Sequence, residues 1–278
     1  MEVKVTNPSA GSAIQSVSSE HNAIQIPWGP VRSVLEDNFS FGTVKTVVAS
    51  AGLDMTRLSD VHPSDTKGEL MTAIDQFVGE LVNEEKSRFA SILIQEMIRR
   101  RPDVTGRLDE VLRRVEWSIV DGHALPIKLV DRTELEELPP ESRNDLVKAA
   151  KRFQDGDLSG SISAACGAVD SITSRIYAEK SLSDAGSDSF QTKVARSLDA
   201  TGVLGKVETE LVQLGWDTIK AEQMIHNLRG ALNQASNVMQ ALRSGMGDVH
   251  GTKDTLKALV FDSLQWSKII LRIFTERQ

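Results

Sequence analysis

The sequence predicts an all-α fold, on three observations. Apolar residues recur every three or four positions over most of the chain, the period of one buried helix face. The clearest stripe is Ile225, Leu228, Leu232, Ala235, Met239 and Leu242, and a second, Leu256, Leu259, Val260, Leu264, Ile270 and Phe274, runs towards the C-terminus. Glycine and proline fall between such stripes, where helices end. Long antiparallel helices of this kind pack as a bundle.

Taken in order, residues 1–26 are rich in Ser, Asn, Thr and Gly and read as a flexible tail, although Val3-Lys4-Val5-Thr6 has the composition of an edge strand. Helical spacing begins after Pro27. Val31, Val34 and Leu35 open a short helix, and residues 43–49 and 53–58 suggest two more, punctuated by Gly42 and Gly52. A longer helix is expected over 65–81, with Leu70, Ile74, Phe77, Val78 and Leu81 on one face. The next spans 86–100 and stops at Pro102, which cannot continue it. Another covers 104–117. Residues 119–131 lack a helical period and read as a loop or a short extended passage.

Residues 133–140, acidic and ending in two prolines, are the best linker candidate. They set the expected boundary between a smaller N-terminal helical domain, 27–132, and a C-terminal bundle, 141–278. In the bundle, a helix over 142–153 ends at Asp155-Gly156-Asp157. The next carries Ile162, Ala165, Cys166, Val169, Ile172 and Ile176 as a core-facing stripe. A loop over 181–189, a shorter helix over 190–198 and glycine-punctuated turns to Gly215 precede the two long striped helices.

Composition narrows the function. The 278 residues, 40% hydrophobic and 26% charged, suit one large domain or two modest ones. No apolar run approaches the ~18–20 residues that cross a bilayer, so no membrane partner is expected. The first residues lack the basic start and apolar centre of a secretory signal. A single cysteine, Cys166, excludes an internal disulfide or a thiolate zinc cluster, and the expected address is a reducing cytoplasm. The net charge of −7 lies wholly in residues 1–140, with 15 Lys/Arg against 22 Asp/Glu, whereas 141–278 carry 17 of each. Neither half is the basic body of a general nucleic-acid coat. Any contact with RNA therefore needs a local pocket, or charge pooled by two subunits.

The most informative stretch is Ala241-Leu-Arg-Ser-Gly-Met-Gly-Asp-Val-His-Gly251. It places a permanent planar cation, Arg243, at the end of a long helix, and then the one side chain that titrates near neutrality, His250, beyond two glycines. On spacing alone two readings stand side by side. Arg243 and His250 converge as the pair that phosphodiester cleavage needs, or Arg243 merely complements the helix dipole, Asp248 caps the next turn and His250 is a loop residue.

From about Arg152 onward the order of features resembles the abortive-infection C-terminal domain, a branch of the HEPN superfamily. The carrying residues are the segment 153–171, with its Gly-Asp turn, small-residue helix and trailing acid, and then Leu242, Arg243, Gly247, Asp248, His250 and Gly251 before a closing apolar helix. Members of that branch typically read Leu-Arg-Asn, two residues, Gly-Asp, one residue, His-Gly. Two positions depart: Ser244 stands where the family has Asn, and Asp170 where it usually has Glu. Each keeps polarity and loses reach.

The resemblance implies a metal-independent endoribonuclease with no cofactor, and RNA as substrate. The ribose 2′-hydroxyl would attack the adjacent phosphorus. His250 would move protons, Arg243 would grip the phosphoryl oxygens, Ser244 would add a hydrogen bond, and Asp170 would orient Arg243 or His250. Asp248 and Gly247 would line the substrate. Asp170 reads equally as one half of an ordinary ion pair. The resemblance also implies a homodimer through the C-terminal bundle, in the setting of abortive infection, antiphage defence or a toxin. Residues 27–132 would sense, regulate or meet a protein partner. An inactive RNA-binding or dimerising scaffold is the alternative.

Other candidates take plainer readings. Arg99, Arg100, Arg101, Arg107, Arg113 and Arg114 form a solvated basic helix end. His21, His62, His123 and His226 lack the spacing of a metal pair, and no phosphate-cradling loop, nucleophile elbow or dinucleotide fingerprint is present. Trp28, Trp117, Trp216 and Trp266 read as packing residues.

Overall fold

The structure is a computed structural model, and it describes residues 25–58, 66–183, 186–247 and 255–275. Among these the apolar stripes become twelve helices and one two-stranded sheet, an all-α fold. The first five helices are α1 (Trp28–Asn38), α2 (Phe41–Ser50), α3 (Lys67–Glu80), α4 (Asn83–Arg100) and α5 (Thr105–Arg113). A hairpin of β1 (Trp117–Val120) and β2 (His123–Pro126) follows. Then come α6 (Arg132–Glu136), α7 (Pro140–Gln154), α8 (Leu158–Glu179), α9 (Phe190–Thr201), α10 (Val203–Gln213), α11 (Thr218–Met246) and α12 (Lys257–Thr275). Their starts are fixed by side chains that accept orphan backbone N–H groups. Ser40, Thr66, Asp157, Ser189 and Asp217 each accept from the residue three positions on. No described helix is long and apolar enough to cross a membrane.

Two apolar cores form. One gathers residues of α1–α5, including Leu35, Leu70, Ile74, Leu93, Met97 and Leu108. The other gathers residues of α6–α12, including Ile162, Val169, Leu232, Met239, Leu264 and Phe274. Helix α8 is the axis of the second and packs on α7, α9, α11 and α12. Its Ala164, Ala165, Cys166 and Ala168 let neighbours approach closely, and the approach is sealed by hydroxyls. Ser161 Oγ donates to the Ala149 carbonyl at 2.8 Å, and Ser267 Oγ to the Ala165 carbonyl at 3.0 Å.

The hairpin is the seam between the cores. Side chains alternate across a strand, so Ile119 and its cross-strand partner Ala124 enter the first core, while Val120 and Leu125 enter the second. Asp109 of α5 ties β1 down, accepting the Ile119 N–H at 2.7 Å and the Ser118 hydroxyl at 2.9 Å. Asp121 and Gly122 make the turn, with φ of 48° and 79°. Two consecutive left-handed residues are the hairpin turn whose twist suits β-strands. Gly122→Ala should therefore destabilise the protein by about 1–2 kcal/mol, read as a lower denaturant midpoint at unchanged slope.

Several sequence expectations change here. Residues 119–131 take the extended alternative in their first part, where β1 and β2 lie, but Trp117 belongs to β1 rather than to the helix before it. Residues 133–140 are not a free linker. They carry most of α6, and Leu135 is fully buried in the second core. The apolar division falls upstream, at the hairpin. The turns before Gly215 contain a whole helix, α10, whose Val203 and Leu204 are buried. Ile26, placed in the tail, is buried and donates its N–H to Ser87 Oγ at 3.4 Å. Residues 1–24, with the edge-strand candidate at 3–6, lie outside the described residues. Trp117 is buried and Trp28 and Trp266 pack against the cores, but Trp216 is 47% exposed.

Candidate functional site

Helix α11 sets the site. Leu242 points into the bundle and Arg243, the next residue, sits at the margin of that buried face. Arginine side chains on a helix lean back over the preceding turn, and here the guanidinium reaches α8. Arg243 Nη1 donates to Asp170 Oδ2 at 2.6 Å. The other carboxylate oxygen, Oδ1, lies 3.9 Å from Lys193 Nζ on α9. Three helices thus converge on one carboxylate flanked by two cations. The local balance is positive on a chain of net charge −7.

Backbone contacts explain why Lys193 arrives there. Gln240 of α11 accepts the Gln191 N–H at 3.2 Å, and the Gln191 amide donates to the Asn233 carbonyl at 3.4 Å. The first turn of α9 is thereby fastened to α11, and Lys193 follows two residues later. The Asp170 side chain is 27% exposed and that of Arg243 is 44% exposed. A pair so open contributes about 0–1 kcal/mol to stability. Its value lies in holding the guanidinium in place.

One turn earlier on α8, Cys166 is fully buried, with its thiol against the Met239 carbonyl at 3.8 Å. Burial pushes the thiol up to about 12, against the pull of Arg243 and with a smaller push from Asp170. It stays protonated at cellular pH and is no nucleophile.

Gly247 ends α11 and donates its N–H to the Arg243 carbonyl at 3.0 Å. It is buried against α8, since a Cβ added there stands 3.1 Å from Ser163 Oγ. The described chain stops at this point and resumes at Thr255.

Of the expected site residues, Arg243 and Asp170 come together, and Gly247 lies one turn beyond Arg243. Ser244 is exposed and turned about 100° round the helix from Arg243, so the two do not share a face. Asp248 and His250 lie outside the described residues. Lys193 and Gln240 are members of the site that the linear sequence did not single out. Lys193 stands beside the core residue Val194, and nothing in its spacing announces a partner on α8.

Each arginine of the basic cluster near α4 and α5 is ion-paired, with fewer carboxylates than arginines. Arg99 and Arg100 pair with Glu96, Arg101 with Asp103, Arg107 and Arg114 with Glu110, and Arg113 with Asp109. No group of three or more metal-binding side chains occurs among the described residues. Comparison of the chain with protein-family models, with curated proteins and with solved structures gave no match.

Proposed function

We propose that this chain is a metal-independent endoribonuclease of the abortive-infection, antiphage-defence or toxin type, with a HEPN-like C-terminal bundle. The observation that supports this reading is the Arg243–Asp170–Lys193 cluster, held by three helices immediately before the segment that carries Asp248 and His250. A phosphodiester entering beside it meets a planar donor fork and an ammonium. Both favour the extra charge of a pentacoordinate phosphorane over the ground state. Asp170 is the positioning residue, since it holds the fork through Nη1. His250 moves the proton between the 2′-hydroxyl and the departing 5′-oxygen. The substrate supplies its own nucleophile, so RNA reacts and DNA does not.

A single bundle offers one such set, and a homodimer through residues 141–278, located in the cytoplasm, brings a second. Residues 27–132 then serve regulation or a protein partner. A second reading, an RNA-binding or dimerising scaffold without activity, is favoured by one observation. Arg243 and Asp170 already answer each other's charge, while Ser244 faces solvent.

The two readings part on incubation of the purified protein with total RNA in EDTA, beside Arg243→Ala and His250→Ala. The nuclease fragments RNA and both variants do not. A scaffold retains RNA without cutting it, and that result overturns the proposal.

A further inference from the structure

A groove of about 760 Å³ lies between α4 and the corner where α7 turns into α8, with Lys257 at the start of α12 on its wall. It joins elements of both cores and is separate from the Arg243 cluster. Its volume falls within the range of small-molecule sites, which favour such junctions. One wall is a polar stripe of α4. Glu84, Arg88, Ser91 and Gln95 recur at helical spacing and all line the groove. From Glu84 to Gln95 the helix rises about 16 Å, which accommodates the length of one nucleotide.

The two ends differ. At the Gln95 end, polar groups are drawn under cover that neither core requires. Gln95 Nε2 meets His123 Nδ1 at 3.2 Å, so in this arrangement the neutral ring carries its proton on Nε2. Burial lowers the His123 pKa and Lys151 lowers it further, while Asp121 and Asp155 oppose them. Burial raises the Asp155 carboxyl, against Lys151 and His123. Groups with shifted titration beside a groove are a mark of binding sites. Lys151 reaches both this groove and a smaller one beside His123. Lys257 lies over the Phe153 ring at 5.7 Å. The far end carries Glu84 and Glu85.

An occupant that carries an anion towards Lys151 and Lys257 and hydrogen-bond donors towards Glu84 and Glu85 suits both ends. An organic acid suits the first end alone, and a polyamine only the second. We propose that this groove binds a nucleotide, with the phosphate between Lys151 and Lys257 and the amino edge of the base towards Glu84 and Glu85. The unit comes either from a free nucleotide or from a residue of an RNA strand. The assignment does not rest on the nuclease reading.

Calorimetric titration of the full chain with AMP, adenosine, inorganic phosphate and a short single-stranded RNA tests it. AMP or the RNA should bind more tightly than adenosine or phosphate. Lys151→Ala and Lys257→Ala should each weaken that binding about tenfold or more, the loss expected for a charge-assisted contact. Arg243→Ala, outside the groove, should leave AMP binding unchanged, which separates failure here from failure of the nuclease reading. Binding of AMP alone identifies a free nucleotide, and binding of RNA in competition with AMP identifies a strand. Thermal melts check that the variants are folded. Binding that ignores both lysines in folded variants, or no binding of AMP or RNA at millimolar concentration, overturns the proposal.

Discussion

On the proposed nuclease reading, Arg243→Lys should lower the single-turnover rate of RNA cleavage by about 10²–10³ while leaving the thermal midpoint almost unmoved. The magnitude is that of removing one preorganised donor from a developing oxyanion. Lysine keeps the charge and its pairing with Asp170, but loses the planar fork that grips two phosphoryl oxygens together. Stability should hold, because the pair is 44% and 27% exposed and open pairs contribute little. Asp170→Asn gives the matching result. The guanidinium loses its anchor, so the rate falls, yet ground-state RNA binding does not weaken, since a negative charge has been removed. A role confined to stability would move the melting midpoint of both variants and leave the rate alone.

Gly247→Ala and Gly245→Ala should have opposite effects, although the positions are two residues apart. A Cβ at Gly247 stands 2.4 Å from the Arg243 carbonyl oxygen and 3.1 Å from Ser163 Oγ. The first neighbour is backbone and cannot rotate away. The helix end must open, breaking the Gly247 N–H bond to that carbonyl, for a loss of about 1–3 kcal/mol. A Cβ at Gly245 meets nothing within 4 Å, and the residue lies inside α11. Alanine there should stabilise the protein by about 0.5–1 kcal/mol. Denaturant midpoints of the two variants, one lower and one higher than the parent, check both statements. Equal shifts would mean that α11 does not end against α8 as described.

The long helices were legible because burial imposes a period on them. The stripes of α8, α11 and α12 face the second core over most of their length, although Leu256, the first residue of the last stripe, precedes α12 and is 60% exposed. Where glycine served two roles the sequence misled. Gly202, at φ 61°, caps α9 and at once opens α10, so a punctuated stretch concealed a helix. The hairpin had its own signal, Asp121-Gly122 between apolar residues, which a search for helical periods passes over. The acidic run before Pro139 and Pro140 looked solvated because its charges outnumber Leu135 and Leu138. Buried Leu135 and the Glu134–Lys268 ion pair nevertheless fasten α6 to the second core, with Leu138 packed beside them.

The site divides in the same way. Arg243 was legible from its place at the end of a long helix, and Asp170 only through the resemblance that singles out an acid on the second helix of the bundle. Lys193 was not, because the contact that brings it in depends on how α9 packs on α11. Ser244 shows the limit of adjacency: neighbours in sequence on a helix point in different directions.

The most direct measurement uses a short RNA cleaved at one position, compared in EDTA with the same strand bearing a single 2′-deoxyribose at that position. The account predicts fragments ending in a 2′,3′-cyclic phosphate from the all-ribose strand, none at the deoxy position, and none from His250→Ala. Intact RNA throughout, or a cut that survives either the missing hydroxyl or the missing imidazole, would contradict it.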